Sequence, residues 1–383
     1  MVYIHVPFCE SFCTYCGFYS EICRESSTVT AYTDFLSKEI ERRKDEIRSS
    51  PLRTIYIGGG TPSVLPLDVL ERIARKVKDA MGPGPIEEFT IEVNPEDITL
   101  RGESFVRGLL EMGVDRISIG MQSFDDGLLR WMNRRHDAKG AARAYSTIRK
   151  AAQQAGRPVQ ISIDLIFGVP GLDYALWEET LSKAVHLGED EGFTRPDHIS
   201  AYQLSIEEGS ALERILSEGK CSELPEEECR RQYDILCSHL ERAGYSHYEI
   251  SNFALPGREA VHNSGYWSRI SYVGLGPGAH SFDSANAVRS WNSEMNFSPG
   301  GTLDGWKQEK EHLTREDERL ETLMLSLRTA EGLDEGIFRT MTASSCQVES
   351  QLKDGTLQRT PSGKIRISES HFFTCDEIIR RLA

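Results

Sequence analysis

Three cysteines near the start of the chain have the type and spacing to hold a metal cluster. Cys9, Cys13 and Cys16 are spaced C-x3-C-x2-C in the run CESFCTYC. A structural zinc site or a ferredoxin-type cluster uses four protein ligands. Three thiolates on one loop therefore indicate a four-iron, four-sulfur (4Fe–4S) cluster with one iron open to an outside ligand. The alternative is a closed cluster in which Cys23, seven residues further on, is the fourth ligand.

Glycine and polar residues lie at the ends of several apolar runs. The run from Gly58 to Thr61 is a turn where backbone amides can approach a ligand closely. Glu92, near the end of FTIEVNPE, could accept hydrogen bonds from both hydroxyls of a ribose. Gln122 is likewise a polar residue at the end of an apolar run, RISIGMQ. These positions suit ligand binding at one edge of a sheet.

Asp164 interrupts the apolar run ISIDLIFG. A buried carboxylate without a partner is unfavourable, so Asp164 must face a ligand or form a structural ion pair with a residue such as Arg134. The guanidinium of Arg134 could alternatively bind a ligand carboxylate as a two-pronged donor. The neighbouring Arg135 could do the same, and the sequence does not separate the two.

The elements that position these residues alternate between strand-like and helix-like segments. Strand and helix in alternation predict a parallel sheet with right-handed crossovers. Six units are too few for a closed eight-stranded barrel, so we predict an α/β fold, a partial (β/α)6 barrel that binds ligands at the carboxyl ends of its strands. The predicted strands are near-continuous apolar runs at 2–6, 54–57, 89–93, 116–119, 159–166 and 198–204, and the predicted helices are 32–47, 67–81, 102–112, 138–155 and 177–187.

The alternation fades after residue 205, which predicts three parts of the chain. Residues 1–205 form the partial barrel, 206–305 an extension with a helix at 224–243, and 306–383 a small, mainly helical C-terminal accessory domain with a hairpin. The charged stretch 307–319 is expected to be a linker that runs into a helix.

Composition excludes several classes of protein. The net charge of −15, from 44 basic and 59 acidic residues, argues against a general nucleic-acid binder. No apolar run is long enough to cross a membrane, and the first residues lack the features of a targeting peptide. Nine scattered cysteines do not resemble a secreted disulfide framework. We therefore expect a cytoplasmic protein with reduced thiols.

Taken together, the motifs resemble the radical S-adenosylmethionine (SAM) superfamily, in particular oxygen-independent coproporphyrinogen III oxidases and their relatives. The resemblance rests on YIHVPFC, CxxxCxxC, GGGTPS, IEVNPE, SIGMQSF, NRRH and SIDLIFGVPG, which follow in this order. It implies that Cys9, Cys13 and Cys16 ligate a 4Fe–4S cluster whose open iron binds SAM. The implied SAM-contacting residues are Tyr3, Tyr15, Gly59, Gly60, Thr61, Glu92, Gln122, Arg134 and Asp164.

The sequence departs from the oxidases at two points. Phe18 stands where the oxidases carry a further cysteine, and eight residues precede Cys9 where the oxidases have a longer segment that helps to enclose the porphyrinogen. Both departures argue against decarboxylation of coproporphyrinogen.

Two later runs, HYEISNFA and HNSGYW, resemble haem chaperones of the HemW type. By this resemblance His262 is a candidate ligand of haem iron, and Tyr266 and Trp267 are candidates to pack on the porphyrin. The alternative is that His262 is hydrogen-bonded within the protein and the aromatic residues fill the core. His280, in GPGAHS, is a second candidate ligand.

These features predict a chaperone that carries a 4Fe–4S cluster and SAM, binds haem and passes it to acceptor haemoproteins. An electron donor for the cluster is an expected partner. The alternative function is an oxygen-independent coproporphyrinogen III oxidase, or another radical SAM enzyme with a porphyrin-like substrate. A plain iron–sulfur or zinc module explains least, because it leaves Glu92, Gln122 and Asp164 without a role.

Overall fold

Strands and helices alternate through the first half of the chain. The computed structural model describes residues 1–23, 25–295, 297, 307–342 and 344–383. The elements of the first half are β1 (Val2–Val6), β2 (Phe8–Cys9), β3 (Glu21–Ile22), α1 (Ser26–Arg42), α2 (Lys44–Arg48), β4 (Thr54–Gly59), α3 (Leu67–Met81), β5 (Glu88–Val93), α4 (Pro95–Glu111), β6 (Arg116–Gln122), α5 (Asp126–Trp131), α6 (Ala138–Ala155), β7 (Gln160–Phe167), α7 (Tyr174–Val185) and β8 (His198–Gln203).

Shorter elements make up the second half. They are α8 (Ala211–Ser217), α9 (Glu226–Arg242), β9 (Ser246–Glu249), β10 (Asn252–Ala254), α10 (Val261–Trp267), β11 (Val273–Leu275), β12 (His280–Asp283), β13 (Val288–Asn292), β14 (Gln308–His312), α11 (Arg315–Leu327), β15 (Leu333–Asp334), α12 (Glu335–Met341), α13 (Ser345–Asp354), β16 (Leu357–Arg359), β17 (Lys364–Ile367) and α14 (Cys375–Leu382). Within the described ranges, no helix has the length and apolar character that crossing a membrane requires.

The main sheet has nine strands in the order β11-β1-β4-β5-β6-β7-β8-β10-β9. The six predicted strands are neighbours in it and run parallel to one another, which confirms the predicted partial barrel. Strand β11 adds in parallel beside β1, and β10 and β9 continue the other edge antiparallel. The sequence analysis missed these three strands because they are only three or four residues long. They come from the predicted extension 206–305, so that part of the chain completes the sheet.

Side chains alternate along the barrel strands between a polar inner side and an apolar outer side. On β7, for example, Ser162 and Asp164 line the interior, whereas Ile161 and Ile163 are fully buried in the core. In the sequence these polar residues look like isolated exceptions within apolar runs, but in the structure they recur at every second position on one face of the strand. Barrel interiors are usually filled by branched apolar side chains, and the polar lining here leaves a cavity.

Two predicted helices differ from the observed ones at backbone breaks. The segment predicted as one helix at 32–47 is two helices, α1 and α2, which meet at Arg43 (φ −103°, ψ 16°). Helix α4 begins at Pro95, seven residues before the predicted start, and Gly102 inside it has a non-helical φ of 68°. Helices α3 and α6 match their predicted bounds, and the N-cap Asp137 of α6 accepts a hydrogen bond from the amide of Gly140.

Beyond the barrel lie two small antiparallel sheets. One consists of β12, β13 and β14, and the other has the order β15-β17-β16 with α11 to α14 around it. Strand β14 occupies part of the stretch that the sequence predicted to be a linker, so that prediction was wrong for Gln308–His312. The predicted boundary between 305 and 306 lies outside the described residues.

A buried polar network joins the first small sheet to helix α1. The carboxylate of Glu39 accepts hydrogen bonds from the amide of Gly276 and the side-chain amide of Asn292, at 2.9 and 2.8 Å. Asn292 also donates to the carbonyl of Gly276 at 2.7 Å, and Arg43 pairs with Glu39 at 3.4 Å. Because Glu39 is buried, each of these donors offsets the desolvation of its charge.

We predict that Asn292→Ala lowers the free energy of unfolding by about 1–3 kcal/mol, because it leaves Glu39 and the carbonyl of Gly276 short of a donor. Urea unfolding followed by circular dichroism measures the change. The control is Asn286→Ala, since Asn286 is exposed and the bonds described for it go to Asp283 in the same turn. Equal effects of the two variants would contradict the role of the network.

Candidate active site

The cysteine loop lies at the carboxyl end of β1 and is clamped on both sides. Strand β2 ends at Cys9, and the loop that follows returns as β3, which runs parallel to β2. The backbone of Thr14 donates to the carbonyl of Met132 and accepts from the amide of Leu212, at 3.1 and 2.8 Å. The side chain of Asn133 donates to the carbonyl of Phe12 at 2.7 Å. The loop is thus held by segments that follow β6 and β8.

All three predicted cluster cysteines line one cavity of about 610 Å³ at this end of the barrel. Burial raises the pKa of Cys9 and raises that of Cys16 to about 11, and the neighbouring thiols add to both shifts. The guanidinium of Arg134 donates to the Cys13 sulfur at 3.2 Å. A positive centre at the loop would therefore be needed to hold Cys9 and Cys16 as thiolates.

The arrangement of the cysteines fits a cluster better than a single ion. Among the described residues, no three His, Cys, Asp or Glu side chains are close enough together to share one metal ion. A 4Fe–4S cube contacts each thiolate through a different iron, which suits thiols spread around a loop. Cys23 is not part of the described cavity lining, and its thiol lies 3.8 Å from the carbonyl of Glu25. The geometry thus favours three cysteine ligands over four.

The glycine turn after β4 packs directly against the cysteine loop. The amides of Gly60 and Thr61 donate to the carbonyls of Val6 and Phe8, at 2.8 and 2.7 Å. A Cβ on Gly60 would lie 2.7 Å from the Phe8 oxygen and 3.0 Å from the Cys9 sulfur, so only glycine fits there. Gly59 has a φ of 110°, which also favours glycine. Gly59, Gly60 and Thr61 all line the cavity.

Glu92 projects into the cavity from β5. Its carboxylate accepts hydrogen bonds from the Tyr56 hydroxyl at 2.6 Å and from the Gly59 amide at 3.1 Å. Burial raises the pKa of Glu92 to about 7. The hydrogen bond from Tyr56 lowers this pKa, and the negative charge of the nearby Asp164 raises it. A carboxylate held in this way would be stabilised by further hydroxyl donors from a ligand.

Asp164 lies two strands away on β7 and also lines the cavity. It accepts hydrogen bonds from the Ser118 hydroxyl at 3.1 and 3.2 Å, and burial raises its pKa to about 6 while Ser200 and Ser118 lower it. Among the described residues, Asp164 forms no ion pair. The pair with Arg134 that the sequence analysis left open is therefore not observed.

Arg134 and Arg135 have different surroundings. Arg134 donates to Cys13, to the Asn94 side chain and to the carbonyl of Gly120, and its Nε is buried without a partner. Burial lowers the pKa of Arg134, but neighbouring groups, chiefly Tyr15 and Cys13, together raise it by a larger amount. The pKa of Arg134 therefore lies above its usual value. Arg135 instead pairs with Glu10, Glu96 and Asp97 at 2.5, 3.4 and 3.7 Å. Arg134 is therefore the better placed of the two to contact a ligand beside the cysteines.

The remaining predicted cofactor residues differ in position. Tyr15 and Gln122 line the cavity, and Gln122 has the unusual φ of 66° for a residue that is not glycine. Tyr3 does not line it. Its ring lies 6.0 Å from that of Tyr56, and its hydroxyl is 3.1 Å from Nδ1 of His5. The structure thus brings all the predicted SAM residues except Tyr3 to the cavity.

The sequence analysis missed several residues of the lining. The deep end of the cavity includes Thr90, Arg116, Ser162, His198 and Asn263. Both ring nitrogens of His198 are hydrogen-bonded, one to Ser162 and the other to the Tyr248 hydroxyl, each at 2.7 Å. The missed signal was the period of two, since Thr90 and Ser162 each lie two positions before a predicted residue, Glu92 and Asp164, on the same strand.

The segment HNSGYW forms helix α10 at the floor of the barrel. His262 is fully buried, with its ring nitrogens 2.8 Å from the Thr54 hydroxyl and 2.9 Å from the Tyr266 hydroxyl. Burial lowers the pKa of His262 to about 3. Tyr266 packs on Tyr272 with ring centroids 4.7 Å apart, and Trp267 is half-buried. In this conformation neither nitrogen of His262 is open to an iron.

The second candidate haem ligand, His280, is exposed on β12. Its ring stacks on Trp291 of β13 with centroids 6.0 Å apart, and partial desolvation of the ring together with the charge of Arg289 lowers its pKa. His280 is not part of the cavity lining.

The fold and this cavity can be compared with those of known proteins. Residues 3–184 match the radical SAM superfamily. The solved structure of coproporphyrinogen III oxidase HemN from Escherichia coli, a radical SAM enzyme, superposes with a TM-score of 0.76 over 100% of this chain and 89% of that one, at 19% sequence identity. This chain is therefore a radical SAM protein in its fold and in its cysteine motif.

The sequence is similar to proteins called haem chaperone HemW. It is 31% identical to HemW of Bacillus subtilis over 338 residues, which are 88% of this chain and 85% of that protein. It is 31% identical to HemW of Mycobacterium tuberculosis over 366 residues, 93% of this chain and 88% of that protein. The chain belongs to the HemW family, as the motifs predicted.

We predict that Glu92→Gln makes the cofactor-free protein increasingly stable, relative to the unmodified chain, as the pH rises from 5 to 8. The folded state holds the Glu92 proton up to about pH 7, whereas the unfolded state releases it near pH 4.5, so ionisation destabilises the fold in this window. The relative gain is on the order of 2–3 kcal/mol.

Urea unfolding at pH 5 and pH 8, without cofactors, measures this difference. The control is Glu41→Gln, because Glu41 is exposed and its pKa is lowered by the hydrogen bond from Lys44, which gives no gain in this window. A difference that does not change with pH would show that Glu92 ionises normally.

Proposed function

We propose that this protein is a haem chaperone that holds a 4Fe–4S cluster and SAM, binds haem and passes it to acceptor haemoproteins. The observation that carries the proposal is the convergence of Cys9, Cys13 and Cys16 on one cavity in a chain that belongs to the HemW family. Reduction of the cluster requires an electron donor, which would be a further partner.

Cys9, Cys13 and Cys16 would ligate the cluster in this proposal. The absence of Cys23 from the cavity lining supports an open fourth iron. Arg134 adds a hydrogen bond to the Cys13 sulfur, and such bonds to cluster sulfurs adjust the reduction potential. When bound and reduced, a cluster of this kind supplies an electron to SAM.

The SAM-binding residues would surround the cavity beside the cysteines. Gly59 and Gly60 line the cavity, where their backbone could approach the methionine end, and the unpartnered Nε of Arg134 is a donor for a carboxylate. Glu92 would accept from the ribose hydroxyls, and Asp164 and Gln122 would form the wall beyond it. Tyr15 and Thr61 would complete the contact, and Tyr3 would act through Tyr56, on which it packs.

The proposed role of His262, Tyr266 and Trp267 in haem contact stays a prediction. Ligation by His262 would require helix α10 to leave the barrel floor, because both ring nitrogens are hydrogen-bonded. Such an opening would also break the bonds that Glu88 accepts from the amides of Val261 and His262, both at 2.9 Å. The described conformation supports the alternative, in which these residues are structural.

We predict that serine at Cys9, Cys13 or Cys16 abolishes cluster binding, whereas Cys23→Ser does not. After anaerobic reconstitution, iron content and visible absorbance report the cluster. Electron paramagnetic resonance of the reduced protein should change when SAM is added, because SAM binds the open iron. Cys346→Ser is an exposed control. Loss of the cluster in Cys23→Ser, or a paramagnetic resonance spectrum that does not change when SAM is added, would indicate a closed cluster with four thiolate ligands.

We further predict that the reconstituted protein binds haem saturably and does not decarboxylate coproporphyrinogen III. Haem titration with and without SAM, followed in the Soret region, measures binding. Anaerobic incubation with coproporphyrinogen III, a reductant and SAM measures the enzymatic alternative. Formation of a vinyl product would make the protein an oxidase, and the lack of a saturable Soret change would contradict the chaperone.

A further inference from the structure

Large hydrophobic side chains that remain exposed are concentrated at the cavity. Among the described residues, six such side chains are exposed, and three of them, Phe12, Phe18 and Tyr202, line the cavity, with 50%, 69% and 44% of their surface accessible. The other three are Leu100, Leu320 and Ile337. Exposed apolar surface that collects at one place marks a binding site more often than scattered residues do.

Phe12 and Phe18 lie on the cysteine loop, whose backbone is held on both sides before any ligand binds. Phe12 is held by the bond from Asn133 to its carbonyl. The backbone near Phe18 is packed from the other side, because a Cβ on Gly17 would lie 2.5 Å from the Cβ of Glu207. Rigid aromatic groups lose little entropy when a flat ligand stacks on them.

The interior of the barrel does not suit an apolar ring. Its walls carry Glu92, Asp164 and Arg134, together with serine hydroxyls. A macrocycle buried there would separate these groups from water and from their donors at a cost of several kcal/mol. The proposed cluster and SAM also need this space. An apolar, planar ligand therefore fits at the mouth, where the exposed aromatic residues lie.

We propose that haem binds at the mouth of the cavity, flat against Phe12 and Phe18 and beside Tyr202. This inference rests on the proposed function and gives the site for its ligand. Haem is held there through the faces of the porphyrin, without a histidine ligand. His198 is the one histidine in the described lining, and both of its ring nitrogens are hydrogen-bonded. The iron thus stays available to a ligand from the acceptor protein.

Titrations of the reconstituted, full-length protein with haem and with metal-free protoporphyrin IX test this proposal. The Phe12→Ala/Phe18→Ala double variant should bind haem at least about tenfold more weakly, because it removes both aromatic faces on which the porphyrin stacks. Leu100→Ala is the matched control, because Leu100 is exposed on α4 away from the cavity. Metal-free protoporphyrin IX should bind the unmodified chain within a few fold of haem.

Single substitutions separate stacking from damage to the loop. Phe18→Trp should keep the affinity for haem and Phe18→Leu should lower it, while iron content and cluster absorbance stay unchanged in both. His262→Ala and His280→Ala should bind haem as the unmodified chain does.

The outcomes distinguish this inference from the proposed function. If the unmodified chain binds no haem, the proposed function fails. If it binds haem but the double variant binds equally well, or His262→Ala or His280→Ala loses binding, the mouth site is overturned and the chaperone proposal stands. Much weaker binding of metal-free protoporphyrin IX would likewise show that an iron ligand holds the haem.

Discussion

The close contact between the cysteine loop and the glycine turn is the constraint on which the site depends. The parallel register of β1 and β4 pairs Val6 with Gly59, and this brings the two turns that follow into contact. The amides of Gly60 and Thr61 then bond to the carbonyls around Cys9, so the cysteine loop has one position relative to the sheet. A side chain at Gly60 would push the Cys9 sulfur away. A cluster held by three thiols needs this fixed spacing.

The polar barrel interior has a consequence for stability. Glu92 and Asp164 have raised pKa values because burial disfavours their charged forms, and they are satisfied by hydroxyls and an amide rather than by cations. Functional sites often keep groups in such an unfavourable state, which a bound ligand relieves. The apolar outer faces of the same strands, packed against the surrounding helices, maintain the sheet that carries these groups.

The floor of the barrel shows how the HNSGYW segment is built into the structure of the site. Glu88 accepts the first amides of α10 and pairs with Arg116 at 2.8 Å, so the helix is tied to the beginnings of β5 and β6. Both ring nitrogens of His262 are engaged in hydrogen bonds, whereas the neighbouring Asn263 lines the cavity. The segment thus closes the cavity from below, and the aromatic surface that remains open lies at the opposite end.

The sequence by itself determined the alternation of strand and helix, the cysteine loop, and many of the polar residues that line the cavity. These features are local: β-branched runs form strands, and the residues at strand ends meet at one edge of a parallel sheet. Tertiary structure decided the rest. The sequence could not tell Arg134 from Arg135, because their partners Cys13 and Glu96 are distant along the chain. It could not show that His262 is buried or that Phe18 is exposed, since burial depends on which elements pack over a residue. Three short edge strands and the polar lining also appear only when the sheet is assembled, because pairing and facing are properties of neighbouring strands.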